Sequence, residues 1–194
     1  MYALLASTGV VAISEIGDKT QLLALVLACR FRQPVPIILG ILVATLANHL
    51  VAALAGAWAA YAIDPDLLRR TLGLVFLAMA GWALVPDEMD ERKVDGRLGS
   101  GGAFVSTTIC FFLAEIGDKT QLATAALAAR FDAILPVVIG TTIGMLIADV
   151  PAVLGGHLAA GRINLRYVRY AAAAVFAGFG MLALSGVRIG IGGA

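Results

Sequence analysis

The octapeptide EIGDKTQL occurs twice in this chain, at 15–22 and again at 115–122. Each copy places three ionisable side chains inside a long apolar stretch: Glu15, Asp18 and Lys19 in one, Glu115, Asp118 and Lys119 in the other. A charge in an apolar, membrane-length segment costs roughly 2.5–3.5 kcal/mol on insertion scales, so charges there mark ion or proton pathways by default. Carboxylate oxygens suit hard divalent cations, Ca²⁺, Mg²⁺ and Mn²⁺. The sequence holds no CxxC and no histidine pair at helical spacing that would offer a soft site. Four acids against two lysines leave a net charge of about −2 when all are ionised, which balances one divalent ion.

Read as a continuous helix, each motif sets Glu15, Asp18, Lys19 and Leu22, or their counterparts, on one face, because residues three and four apart are neighbours. On that reading Glu15, Asp18, Glu115 and Asp118 surround one mid-membrane cavity as the metal site. Lys19, Thr20, Gln21, Lys119, Thr120 and Gln121 brace it, and Gly17 and Gly117 lie on the opposite face, where they allow close helix packing. A purely structural reading stands beside it: Glu15–Lys19 and Glu115–Lys119, at i and i+4, could be ion pairs that only hold the fold. Asp18 and Asp118 have no such partner within their own motifs.

Further polar groups fall in the middle of two other apolar segments, Asn48 and His49 in one and Asp149 in the other. They extend the metal or proton pathway. His49 and Asp149 occupy equivalent positions of the repeat yet differ, which breaks its symmetry. Asp149 reads as a ligand or a proton carrier; His49 reads as either of these or as a histidine packed between helices. His157 falls near a segment end, at the membrane interface.

These residues need elements to carry them, and a span needs about 20 apolar residues. Six are expected, at 2–28, 35–60, 68–85, 102–129, 133–160 and 167–187, giving an all-α integral membrane protein. The repeat extends beyond the motif at an offset of 100: Leu27 and Leu127, Arg30 and Arg130, Phe31 and Phe131, Pro36 and Pro136, Gly40 and Gly140, Gly56 and Gly156. The single membrane domain, 1–194, therefore divides into repeat one, 1–86, a polar connector, 87–101, and repeat two, 102–194. Three spans per half is an odd number, so the halves cross the membrane in opposite directions, the inverted repeat of many secondary transporters. Lysine and arginine in the short loops favour a cytoplasmic 87–101 connector and periplasmic termini. Gly178 and Gly180 fit packing against a neighbouring helix or a second protomer, so a homodimer is left open.

Composition agrees. The chain has 194 residues, 60% of them hydrophobic and 14% charged, with a mean hydropathy of +0.93. A soluble domain would lack a polar exterior at such a composition. A formal charge of +1 offers no basic face for nucleic acid. Cys29 and Cys110 suggest no disulfide framework, and the first segment lacks the basic flank of a cleavable signal.

Two E-x-G-D-K-T motifs, one per three-span half, resemble those of the second calcium:proton antiporter family, once labelled uncharacterised protein family 0016. Its members include Golgi and thylakoid calcium/manganese transporters and bacterial manganese exporters. The resemblance covers essentially the whole chain and implies that Glu15, Asp18, Glu115 and Asp118 bind the transported cation. It implies a compact prokaryotic form in the bacterial inner membrane, exporting Mn²⁺, with Ca²⁺ as the other candidate, in exchange for protons. The expected partners are lipid and the divalent ion, with no resident cofactor and no enzymatic activity. Three rival readings stand beside it. A passive divalent-cation channel also uses acidic residues. An intramembrane aspartyl protease pairs two acids, but gains nothing from two extra glutamates and two lysines. An exporter of small organic cations would need an aromatic pocket that the motif face lacks.

Overall fold

The computed structural model describes residues 1–85, 102–155 and 165–185, and these form helices joined by short turns, with no strand among them. Eight helices run in order: α1 (Tyr2–Glu15), α2 (Lys19–Phe31), α3 (Pro34–Ala62), α4 (Pro65–Ala83), α5 (Gly102–Glu115), α6 (Lys119–Phe131), α7 (Ile134–Gly155) and α8 (Leu165–Leu184). The 87–101 connector, His157 and the residues after 185 lie outside the described residues.

Helix ends follow local chemistry. Proline opens α3 and α4, where its missing N–H costs nothing. The Asp64 carboxylate caps α4 by accepting from the backbone N–H groups of Asp66 and Leu67. The helices α2 and α6 end at equivalent residues, Arg32 and Asp132, both left-handed at φ 51° and 49°.

The expected single spans at 2–28 and 102–129 are each broken. Residues 16–18 separate α1 from α2, and residues 116–118 separate α5 from α6. The breaks lie at the motif itself, where Gly17 and Gly117 take φ +82° and +76°, a conformation open to glycine and costly to other residues. Asp18 and Asp118 follow in extended conformation as the N-cap residues of α2 and α6. The motif is thus a helix stop, a turn and a new start. The glycines serve this turn; a Cβ added at Gly117 would meet nothing within 4 Å, so the face-packing role expected of it does not apply.

The long helices α3, 29 residues, and α7, 22 residues, are long and apolar enough to cross a membrane, with mean hydropathy 2.2 and 2.0. Each carries the broken helix of the other half. Helix α1 packs on α7, and α5 packs on α3. The contacts match residue for residue. A Cβ on Gly140 would meet the Leu4 carbonyl and the Ser7 side chain; one on Gly40 would meet the Phe104 carbonyl and the Thr107 side chain. Further along, Gly144 faces Thr8 and Ala12, so α1 and α7 run in the same direction. Small residues at such crossings let backbones approach where lipid-like surroundings give little hydrophobic drive. Gly56 of α3 sits directly against the Ala125 backbone of α6. Helices α4 and α8 pair at one side, with Gly180 against Leu77 and Gly73, so Gly180 serves a contact within the chain.

Candidate metal centre

Each break builds the same small frame. The Asp18 N–H donates to the Glu15 carbonyl at 3.0 Å, and the Asp118 N–H to that of Glu115 at 3.1 Å. The Gln21 side-chain oxygen accepts from the Gly17 N–H at 3.1 Å, and that of Gln121 from the Gly117 N–H at 2.8 Å. The Thr20 hydroxyl donates to Glu15 Oε2 at 2.7 Å, and the Thr120 hydroxyl to Glu115 Oε2 at 2.8 Å. Hydrogen bonds of this kind restrict the rotamer of a buried carboxyl group. Thr20, Gln21 and their counterparts thus hold the turns and orient the glutamates. Gln21 also donates to the Ala148 carbonyl at 2.9 Å, tying the first turn to α7 beside Asp149. Asn48 donates to the Phe112 carbonyl at 3.0 Å, tying α3 to α5 one turn before Glu115.

The two turns meet. Lys19 Nζ lies 3.1 Å from Asp118 Oδ1, and Lys119 Nζ lies 3.3 Å from Asp18 Oδ1. Lys19 pairs with the aspartate of the other motif, not with Glu15 of its own as i,i+4 spacing on an unbroken helix would have it. The break removes the register on which that expectation rested. Glu15, Asp18 and Asp118 each offer an oxygen within 4.8 Å of the others. Among the described residues this is the one group of three or more acidic, histidine or cysteine side chains so gathered. Glu115 is outside this trio but within electrostatic reach of all three, and Asp149 is within reach of both glutamates.

All five carboxylates are buried. Glu15 and Glu115 each spend Oε2 on a threonine, and Asp118 spends Oδ1 on Lys19. The second oxygen of each, Oε1, Oε1 and Oδ2, has no hydrogen-bond partner among the described residues, and neither has either oxygen of Asp149. Buried acceptors without donors are expensive, and a hard cation is the group that satisfies several at once. His49 is also fully buried, with both ring nitrogens unpartnered among the described residues, and it is not part of the gathered group.

Sequence reasoning missed the crossed lysine pairs, which join residues about 100 apart and leave no local signal. It also missed Ser7 and Thr107, equivalent buried hydroxyls at the α1–α7 and α5–α3 crossings. The break itself was signalled: Gly followed by Asp ahead of an apolar run is a helix stop and an N-cap.

A helical protein with apolar crossing helices and a buried acidic cluster belongs in kind with membrane cation transporters. The chain belongs to the GDT1 family, described as divalent cation/proton antiporters, whose pattern matches residues 3–91 and 103–188. This is a family of transporters rather than enzymes. The resemblance read from the two motifs is thereby borne out. A Vibrio cholerae protein named "Putative manganese exporter" is 49% identical over 177 residues, 91% of this chain and 87% of that protein. The GDT1-like protein 3 of Oryza sativa subsp. indica is 30% identical over 207 residues, 91% of this chain and 71% of that protein. That of Arabidopsis thaliana is 30% identical over 208 residues, 91% and 68%. No solved structure matches the chain.

Proposed function

We propose that this chain exports divalent cations, Mn²⁺ foremost and Ca²⁺ second, across a bacterial inner membrane in exchange for protons. The observation that carries the reading is the convergence of Glu15, Asp18 and Asp118 from two motifs, with a buried oxygen on Glu15 and one on Asp118 left for a cation. Glu115 completes the set and Asp149 adjoins it. Asn48 holds α5 in place, and His49 is kept for the proton path. The Vibrio relative's name favours manganese over calcium.

The broken helices suit this task. Laid end to end, α1 and α2 have 14 and 13 residues, about 40 Å at 1.5 Å per residue, enough for a hydrocarbon core of about 30 Å. They form the first span and α5–α6 the fourth, in six spans arranged as two inverted repeats. In such breaks helix starts favour anions and helix ends offer carbonyls to cations. Here α2 and α6 start beside Asp18 and Asp118, while α1 and α5 end at Glu15 and Glu115. Exposed apolar residues such as Leu39, Leu50 and Trp58 of α3 face lipid.

Moving a divalent ion out of a negative interior costs about 4.6 kcal/mol per 100 mV. Protons supply the work when they compete with the metal for the same oxygens: metal displaces them on the inside, and protons displace metal on the outside. Purified protein in liposomes, with Mn²⁺, Ca²⁺ or Mg²⁺ flux followed under an imposed pH gradient, tests this. Mn²⁺ flux should be driven by the gradient and carry an opposing proton flux. Metal movement indifferent to pH, with no proton movement, would remove the antiport reading and leave a passive channel.

A further inference from the structure

Lys19 and Lys119 have no place in cation coordination: an ammonium has no lone pair to give and repels a metal. Yet both are set against the carboxylates that would hold one. Lys19 Nζ is 3.1 Å from Asp118 and Lys119 Nζ is 3.3 Å from Asp18, and these two aspartates are members of the gathered trio. Each pair also crosses from one motif to the other. We infer that the two lysines are tethered competitors for the cation: each neutralises the aspartate of the opposite motif when no metal is bound, and the arriving metal displaces it. The inference rests on the cation-site reading above.

The two lysines are not equally free to leave. The Lys19 side chain keeps 25% of its surface accessible, that of Lys119 only 6%. A four-carbon stem can swing an ammonium several ångströms where there is room, so Lys19 is the one that leaves first from this arrangement. Its departure removes a tie between the two motifs. Metal occupancy is thereby linked to how the halves hold each other, and the lysine's return keeps the acids from being left bare when the metal goes. A lysine that merely braced the fold would stay in place when metal bound, and its loss would weaken binding.

The test uses the full chain in detergent. Mn²⁺ affinity is measured by calorimetry for the unaltered protein, Lys19→Met and Lys19→Arg. Modification of Lys19 by an amine-reactive reagent is followed by mass spectrometry with and without saturating Mn²⁺. Removing a charge-assisted competitor should tighten Mn²⁺ binding about tenfold in Lys19→Met, with Lys19→Arg close to the unaltered protein, and Mn²⁺ should speed Lys19 modification several-fold. Labelling indifferent to saturating Mn²⁺ overturns the inference even if Lys19→Met fails to fold, and so does a folded Lys19→Met that binds no tighter. In both cases Mn²⁺ binding by the unaltered protein leaves the cation site standing. An unaltered protein that binds neither Mn²⁺ nor Ca²⁺ sinks the cation-site reading, and this inference with it.

Discussion

In the candidate centre each motif glutamate accepts a hydrogen bond from one threonine, Glu15 from Thr20 and Glu115 from Thr120. The Thr20 hydroxyl holds one carboxylate oxygen at 2.7 Å, leaving Oε1 buried and without a hydrogen-bond partner among the described residues. Replacing Thr20 by valine keeps the shape and deletes the donor. A hydrogen bond to a charged group is worth about 1.5–3 kcal/mol, so Thr20→Val should lower Mn²⁺ affinity about tenfold or more, read by calorimetry with the fold checked by thermal unfolding. Glu15→Gln with Glu115→Gln removes two carboxylates of the proposed site and should abolish transport in liposomes; full activity in the double variant would remove these glutamates from the site. The acids were legible because a charge in an apolar run is rare and the run repeats. Their pairing was not, because Lys19–Asp118 is a contact between residues far apart in sequence, and only the packed fold brings them together.

At the scale of elements, the break between α1 and α2 decides where the acids point. The apolar run through 2–28 reads as one span by composition, and composition says nothing about a three-residue turn within it. The local signal is Gly17 followed by Asp18, which the reading of the motif as one continuous helix does not use. An alanine at 17 or 117 would have to hold φ near +80°, at a cost of about 1–2 kcal/mol. Gly17→Ala should therefore lower the midpoint of thermal unfolding in detergent, and Mn²⁺ transport with it. Packing makes a second element-scale prediction. A valine at Gly140 would drive its side chain into the Leu4 carbonyl and Ser7, and overpacking of this kind costs about 1–3 kcal/mol. Gly9, where an added Cβ would meet nothing within 4 Å, is the control: Gly9→Ala should be neutral or gain up to about 1 kcal/mol from helix propensity. Equal losses at both positions would mean that the α1–α7 crossing is not what Gly140 secures.

For the whole molecule, the repeat at an offset of 100 announced two related halves, and the fold interlocks them: α1 on α7, α5 on α3, and the motifs joined by crossed ion pairs. Sequence periodicity could not show that each half is completed by the other, since burial along α3 and α7 depends on partners from elsewhere in the chain. The direction of each half in a membrane follows from a different argument. Lysine and arginine are enriched in short cytoplasmic loops, and the three crossings per half proposed above would start the second half on the side opposite to the first. On this basis the 87–101 connector is expected on the cytoplasmic side and both termini on the periplasmic side. Replacing Cys29 and Cys110 by serine or alanine and adding single cysteines in the connector and at the N-terminus allows an impermeant thiol reagent to report on intact cells. The terminus should label in intact cells and the connector only after lysis. A connector that labels from outside, with a protected terminus, would reverse the orientation. Labelling of both from outside would deny an odd number of crossings between them, and with it the opposed arrangement of the two motifs on which the proposed exchange at one shared site depends.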